Sequence, residues 1–288
     1  VSMGEKAKVD MPYMMQLTGK TEEEIFADLS GVIFRNPLYE ENGSQAKYLT
    51  ADEYLSGNVR EKLAEARRSA ESDPVFTANV TALEEVQPMD LTASEISVRL
   101  GATWLPEDVV QKFMYELLDT PYYAQWKVKV HYSRYTGGWN VEGKSYDRSN
   151  INATSTYGTD RVNAYKIIEE TLNLRDVRVF DYVEDENGKR VATLNKKETA
   201  IAQGKQELIK QAFQDWIWTD QPRRERLCKL YNEQFNALRP REYDGSHLNF
   251  VGMNPEIQLR QHQLNAVAHI LYGKNTLLAH VVGAGKTF

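Results

Sequence analysis

The sequence predicts an α+β protein on three observations: helix-period segments at both ends, a middle in which alternating strands follow helices, and an apolar run entering a glycine-rich loop. Helices are read from apolar residues recurring three and four positions apart, strands from strict alternation. With 288 residues, 41% hydrophobic and 26% charged, the chain has the length for two or three small domains and an ordinary globular composition. It divides into an acidic, mainly helical region (1–93), an α+β domain (94–196), a two-helix linker (197–250) and a closing segment (251–288).

At the N-terminus, Thr21-Glu22-Glu23-Glu24 is a helix start with Ile25 and Leu29 on one face, and Val32-Ile33-Phe34 follows as a short strand. Asn36-Pro37 and Glu41-Asn42-Gly43-Ser44 are turns before Tyr48-Leu49, an order that fits a small winged-helix-like unit. Its acidic helix is a poor reader of DNA grooves, so a protein-binding role is expected for it. Asn58 caps a helix over 59–72 with Val59, Leu63, Ala66 and Ala70 as its stripe, ended by Asp73-Pro74.

From Ser94 the pattern reads as β-α-β-β twice over, an internal duplication. The first copy is a strand over 96–100, a helix over 106–118 with Val110, Phe113, Met114 and Leu117 inward, and a hairpin from Trp126–Tyr132 through Gly137-Gly138 to Trp139–Val141. The second is a strand over 151–155, a helix over 160–172, and a hairpin joining 177–183 to 191–194 through Asn187-Gly188. The two copies would form one antiparallel sheet with helices on one face. Helices over 199–218, with Ile201, Leu208 and Ala212 or, offset, Ile209, Phe213 and Trp216 inward, and 222–238 complete the linker.

Net charge is −6, but unevenly spread: residues 1–120 hold 11 Lys/Arg against 22 Asp/Glu, the remainder 24 against 19. Any DNA surface is therefore expected after residue 120. Lys127 and Lys129, with His131, alternate against Val128, Val130 and Tyr132 and could track a backbone, although a half-buried strand puts lysines in solvent anyway. Trp139, Tyr135 and Tyr157 could stack on bases or pack as core. Arg223, Arg224 and Arg226 sit at a helix start, where the dipole disfavours them unless a phosphate or an acid such as Asp215 or Asp220 is near. The single Cys228 excludes an internal disulfide, the five histidines show no metal-helix spacing, and no apolar run is long enough for a membrane span or signal peptide. A cytoplasmic protein is expected.

The chemical signal lies in Leu277–Val282 running into Gly283-Ala284-Gly285-Lys286-Thr287. Two glycines let the backbone curl so that N–H groups meet phosphate oxygens, Lys286 adds a positive charge, and the Thr287 hydroxyl can hold Mg2+. His280 stands where the first glycine of G-x-x-x-x-G-K-[ST] would fall. Upstream, Leu259-Arg260-Gln261-His262-Gln263 opens a helix with Leu264, Val267, Ala268 and Leu271 on one face, ended by Gly273.

This order of glutamine, helix, strand and phosphate loop resembles the front edge of a superfamily 2 helicase motor. The L-R-x-H-Q wording is similar to the L-R-P-Y-Q of SNF2-type DNA translocases, with Gln261 for proline and His262 for tyrosine. The resemblance implies the start of a RecA-like motor domain, with Gln263 reading adenine and Gly283, Ala284, Gly285, Lys286 and Thr287 holding ATP and Mg2+. The stretches 54–60, 101–106 and 239–248 look like the pre-motor region of very large helicases of phages and conjugative elements. Those proteins often carry an adenine-specific DNA methyltransferase, and some serve in antirestriction.

DNA, further helicase lobes and a methyltransferase domain are the partners so implied. The expected protein is a fragment of an ATP-dependent DNA translocase that does not turn over ATP alone, since motifs beyond the first are absent from 1–288. The competing expectation is a non-enzymatic DNA- or protein-binding module of a mobile-element protein.

Overall fold

A computed structural model describes all residues except 41, 42, 44, 185–189, 255, 274 and 286–288. The chain forms two compact units, one made of 1–89 together with 235–288, the other of 90–234. The second is thus inserted into the first along the sequence.

The first unit opens with helices α1 (Ser2–Lys6), α2 (Met11–Thr18) and α3 (Glu22–Asp28), then strands β1 (Ile33–Arg35) and β2 (Tyr48–Thr50). Asp10 accepts from the Tyr13 N–H at 3.1 Å to start α2. At α3 the capping is reciprocal: Thr21 Oγ1 accepts from Glu24 N–H (3.3 Å) and Glu24 Oε2 from Thr21 N–H (2.9 Å). Met11, Ile25, Ile33 and Tyr48 close a small core beneath the antiparallel β1–β2 pair. Three helices followed by a hairpin is the winged-helix order. Of its expected turn, Glu41, Asn42 and Ser44 lie outside the described residues.

A second core, of Phe34, Tyr54, Val59, Leu63, Ala66 and Leu83, joins that hairpin to α4 (Ala51–Tyr54), α5 (Val59–Ser72) and α6 (Thr77–Glu85). Asn58 caps α5 as its sequence implies, accepting from Glu61 N–H at 3.1 Å. The strand before it, β3 (Gly57–Asn58), pairs antiparallel with β8 (Leu238–Arg239). Arg60 Nε donates to Asn236 O (2.9 Å), Arg239 to Leu55 O (2.8 Å), and Asn236 Nδ2 to Met89 O (2.7 Å). These bonds fasten the returning chain onto the N-terminal part.

The second unit contains α7 (Glu107–Leu118), α8 (Tyr122–Gln125), β4 (Lys129–Ser133), β5 (Gly138–Glu142), α9 (Ala164–Leu172), β6 (Phe180–Glu184), β7 (Arg190–Leu194), α10 (Lys196–Ile217) and α11 (Gln221–Phe235). Its core gathers Val110, Phe113 and Met114 of α7, Val130, Trp139 and Val141 of the first hairpin, Ile167 and Ile168 of α9, Ile209 and Phe213 of α10 and Leu227 of α11. The two helices expected as a linker are therefore part of a core. On α10 the offset stripe is the buried one; Ile201 and Leu208 are exposed.

The expected single duplicated sheet is not formed. Among the described residues, β4–β5 and β6–β7 are separate two-stranded hairpins. Residues 96–100 bury Ile96, Val98 and Leu100 in alternation without joining a ladder, and the strand expected over 151–155 is a π-helical turn, Asn152–Thr156. Asn150 starts that turn by accepting from Asn152 N–H at 2.8 Å. The cause lies at the strand edges, where unpaired N–H and C=O groups must find partners. On β4, Val130 N–H donates to Gln111 Oε1 (3.2 Å) and Tyr132 N–H to Glu107 Oε1 (2.8 Å), both from α7. On β5, Trp139 N–H donates to Asn173 Oδ1 (2.9 Å), Asn173 Nδ2 returns to Trp139 O (2.8 Å), and Val141 N–H donates to Glu169 Oε2 (2.9 Å). Side chains of the neighbouring helices occupy the places a third strand would take.

The same device recurs before β6, where Thr199 Oγ1 accepts from Val179 N–H (3.0 Å) and Gln206 Oε1 from Val177 N–H (3.2 Å), and Gln214 donates to Val98 O at 2.6 Å. Burial pushes the Glu169 carboxyl up, but Lys144, Lys166 and the Val141 N–H overcome it and hold it down to about 2. Gly101, at φ +96, passes so close to α9 that a Cβ would lie 2.4 Å from Leu172 O; no other residue fits there. Asn187 and Gly188, the expected second turn, lie outside the described residues.

Candidate functional site

The helix α12 (Gln261–Tyr272) is the element around which the C-terminal chemistry is arranged. Gln263 sits in its first turn and works at both ends. Its Oε1 accepts from Arg260 N–H at 2.9 Å, closing the helix start, while its Nε2 donates to the Gly285 carbonyl at 2.9 Å. The neighbouring His262 places Nε2 at 2.9 Å from the Ala284 carbonyl, and its ring meets that of His280 edge-on at 5.6 Å. Gly283 and Gly285 take φ of +83° and +75°, the left-handed curl expected of them, and Ala284 N–H donates to Val281 O at 3.3 Å. The Ala284 and Gly285 carbonyls are thereby both turned toward α12.

The structure thus brings together Gln263, Ala284 and Gly285. Lys286 and Thr287 lie outside the described residues. The apolar run before the loop is not a paired strand: among the described residues no other strand lies beside it, and Leu277, Val281 and Val282 are exposed.

Beside the loop opens a cleft of about 820 Å³ lined by Asp52, Tyr243, His262, Asn265, His269 and His280, among others. Tyr243 stacks on His269 at 4.2 Å and 20°. Arg241 also covers Tyr243, its guanidinium 4.9 Å from the ring centre and its Nε donating to Asp52 at 2.8 Å. Gly245 N–H and Gln261 Nε2 both donate to Asn265 Oδ1, so the segment 241–246 lies along α12. Neither this wall nor the His262 contact is legible in the sequence; the resemblance over 239–248 marks the segment but not its place.

The residues expected to contact DNA have partners within the protein. Arg223 is buried, donating from Nε to Ile217 O (2.9 Å) and from NH2 to Trp216 O (2.6 Å) and Thr219 Oγ1 (3.1 Å), with its guanidinium stacked 3.4 Å from the Trp216 ring centre. Burial disfavours its charge, and Asp220 and Glu116 counter that. Arg224 donates to Trp218 O at 3.0 Å, and Arg226 forms a two-point pair with Asp108 at 2.5 and 3.0 Å. The first two close the C-terminal carbonyls of α10, an internal partner that suits the dipole at that end. Lys127 lies over the Tyr146 ring at 5.9 Å; Lys129 stands opposite Glu142, and His131 lies within 4 Å of both Glu107 and Glu142. That strand face is mixed in charge rather than basic. Trp139 is core, tilted against Tyr132 at 4.8 Å, while Tyr135 is fully exposed.

Two family models match the chain. One, described as the winged helix domain of a probable helicase, covers residues 1–48, from α1 through β1 to the first residue of β2. The N-terminus is helicase-related. The other, a domain of unknown function (DUF8437), covers residues 99–237, nearly the whole second unit. No curated protein and no solved structure matches the chain. Among the described residues no helix is long and apolar enough to cross a membrane, and no group of three or more His, Cys, Asp or Glu side chains could hold a metal ion.

Proposed function

We propose that this chain supplies the pre-motor region and the nucleotide-binding edge of an ATP-driven DNA translocase of superfamily 2, close to the SNF2 type. The observation that carries the reading is the bond from Gln263 to the Gly285 carbonyl across 22 residues, which joins the adenine-reading candidate to the phosphate loop. The helicase-type winged helix at residues 1–48 supports it from the other end of the chain. In the intact motor Gly283, Ala284 and Gly285 would cradle the phosphates, Lys286 would neutralise them, and Thr287 would hold the Mg2+ that ATP brings. Bound ATP with its Mg2+ supplies the phosphoryl-transfer chemistry; this chain's residues bind and orient it.

DNA is the proposed track, with the remaining motor lobes and a methyltransferase domain as proposed partners. The acidic first turn of α3, where Glu22 is already held by Lys47 (2.7 Å) and Tyr48 (2.7 Å), favours a protein over a DNA groove as the winged helix's own contact. The deciding measurement is binding of a fluorescent adenine nucleotide to the full-length gene product. Lys286→Ala is expected to weaken it at least about ten-fold, the worth of one charge-assisted contact to phosphate. A parent protein that binds no nucleotide would overturn the motor reading and leave a non-enzymatic binding module in its place.

A further inference from the structure

The loop departs from the usual phosphate-binding pattern at its first corner, where His280 replaces a glycine, and the helix departs at the position before Gln263, where His262 stands. The two departures meet. The His262 ring meets that of His280 edge-on at 5.6 Å and 78°, with Nε2 at 2.9 Å from the Ala284 carbonyl. A carbonyl oxygen can only accept, so this contact requires the Nε2–H form of His262. Gln263 makes the parallel bond one residue along, to Gly285. Two consecutive side chains of one helical turn therefore grip two consecutive carbonyls of the loop.

We infer that His262 is a positioning residue of the nucleotide site, holding the Ala284 carbonyl so that the Gly283–Gly285 curl is set before nucleotide arrives. A loop between two glycines at positive φ has many alternative curls, and a single strut at Gly285 leaves the peptide before it free to rotate. The second strut removes that rotation and turns the Ala284 oxygen from the phosphate path. Preorganisation of this kind acts on affinity, because ordering that is complete in the free protein is not required on binding. His280 supplies a flat ring that fixes the plane of His262, the part a bare glycine at that corner could not play.

This inference rests on the proposed nucleotide site, and the test separates the two. Long-range 1H–15N spectra of the nucleotide-free protein read the His262 tautomer directly: the Nε2–H form is expected, and an Nδ1–H form would overturn the inference whatever the nucleotide result. Binding of the fluorescent adenine nucleotide is then compared in the full-length parent, His262→Ala and His262→Gln. His262→Ala should weaken it by about two- to ten-fold, one net hydrogen bond, with KM for ATP raised and kcat little changed. His262→Gln, whose amide can reach the position of Nε2, should restore most of it. Unchanged affinity in His262→Ala, or a loss that His262→Gln fails to restore, removes the positioning role. Should His262→Ala unfold, the tautomer and the glutamine variant still decide; should the parent bind no nucleotide, the nucleotide site itself fails while the tautomer still tests the Ala284 contact.

Discussion

The starts of α11 and α12 are built alike and serve different ends. Each places polar side chains in a first helical turn, and in each those side chains reach backbone carbonyls. At α11, Arg223 and Arg224 turn back six or seven residues to Trp216, Ile217 and Trp218, the closing carbonyls of the helix before. At α12, His262 and Gln263 reach forward 22 residues to Ala284 and Gly285, in a loop whose residue types suit phosphate. The first contact is buried and joins two helices of one core, whereas the second is half-buried at the margin of an open cleft. Residue type did not separate the two, and the arginines carry more charge than the pair that meets the loop. What separates them is the target: carbonyls at a helix end need closing in any fold, but carbonyls of a curled glycine loop have to be aimed.

The comparison makes graded expectations. Arg223→Ala should cost the second unit about 2–4 kcal/mol, since it removes the Nε–H bond to the buried Ile217 carbonyl, one of the bonds to the Trp216 carbonyl and the guanidinium that covers the Trp216 ring. All five tryptophans fall in residues 90–234, so denaturant unfolding followed by tryptophan emission reports this unit alone. Arg223→Lys should recover only part, because an ammonium cannot span Ile217, Trp216 and Thr219 together. Asp220→Ala should cost about 1 kcal/mol in the same measurement, as its carboxylate accepts from Arg223 N–H at 3.0 Å to cap α11. Gln263→Ala should be smallest, under about 1 kcal/mol in denaturant unfolding of the whole chain followed by circular dichroism, because its bonds lie near solvent. If Gln263→Ala proves as damaging as Arg223→Ala, α12 starts as α11 does, for structure alone.

Much of the local structure was legible. Asn58 and the Thr21–Glu24 pair announce helix starts because capping is a short-range affair, and the stripe Val110, Phe113, Met114 follows from period alone. The sheet was misread for a physical reason: alternation tells which face is buried, and says nothing of what satisfies the backbone. At residues 96–100 the alternation is real and the ladder is absent, because Gln214 takes the Val98 carbonyl. Glu107, Gln111, Glu169 and Asn173 read as ordinary polar positions of helices and a helix end; their use as strand edges depends on how α7 and α9 pack. At the site, the spacing of Gln263 and Gly285 was readable and their bond was not. His262 was visible only as a departure from L-R-P-Y-Q, since its partner is a backbone atom, and backbone atoms leave no mark in a sequence.

The two-residue ladder between β3 and β8, with the Asn236–Met89 bond beside it, brings the points where the second unit leaves and rejoins the first close together. A chain that is pulled carries tension along its own polypeptide. Load applied between the segment before Gly57 and the segment after Arg239 crosses that short ladder directly. Only two residue pairs, Gly57 with Arg239 and Asn58 with Leu238, then bear it, together with the bonds from Arg60 and Asn236.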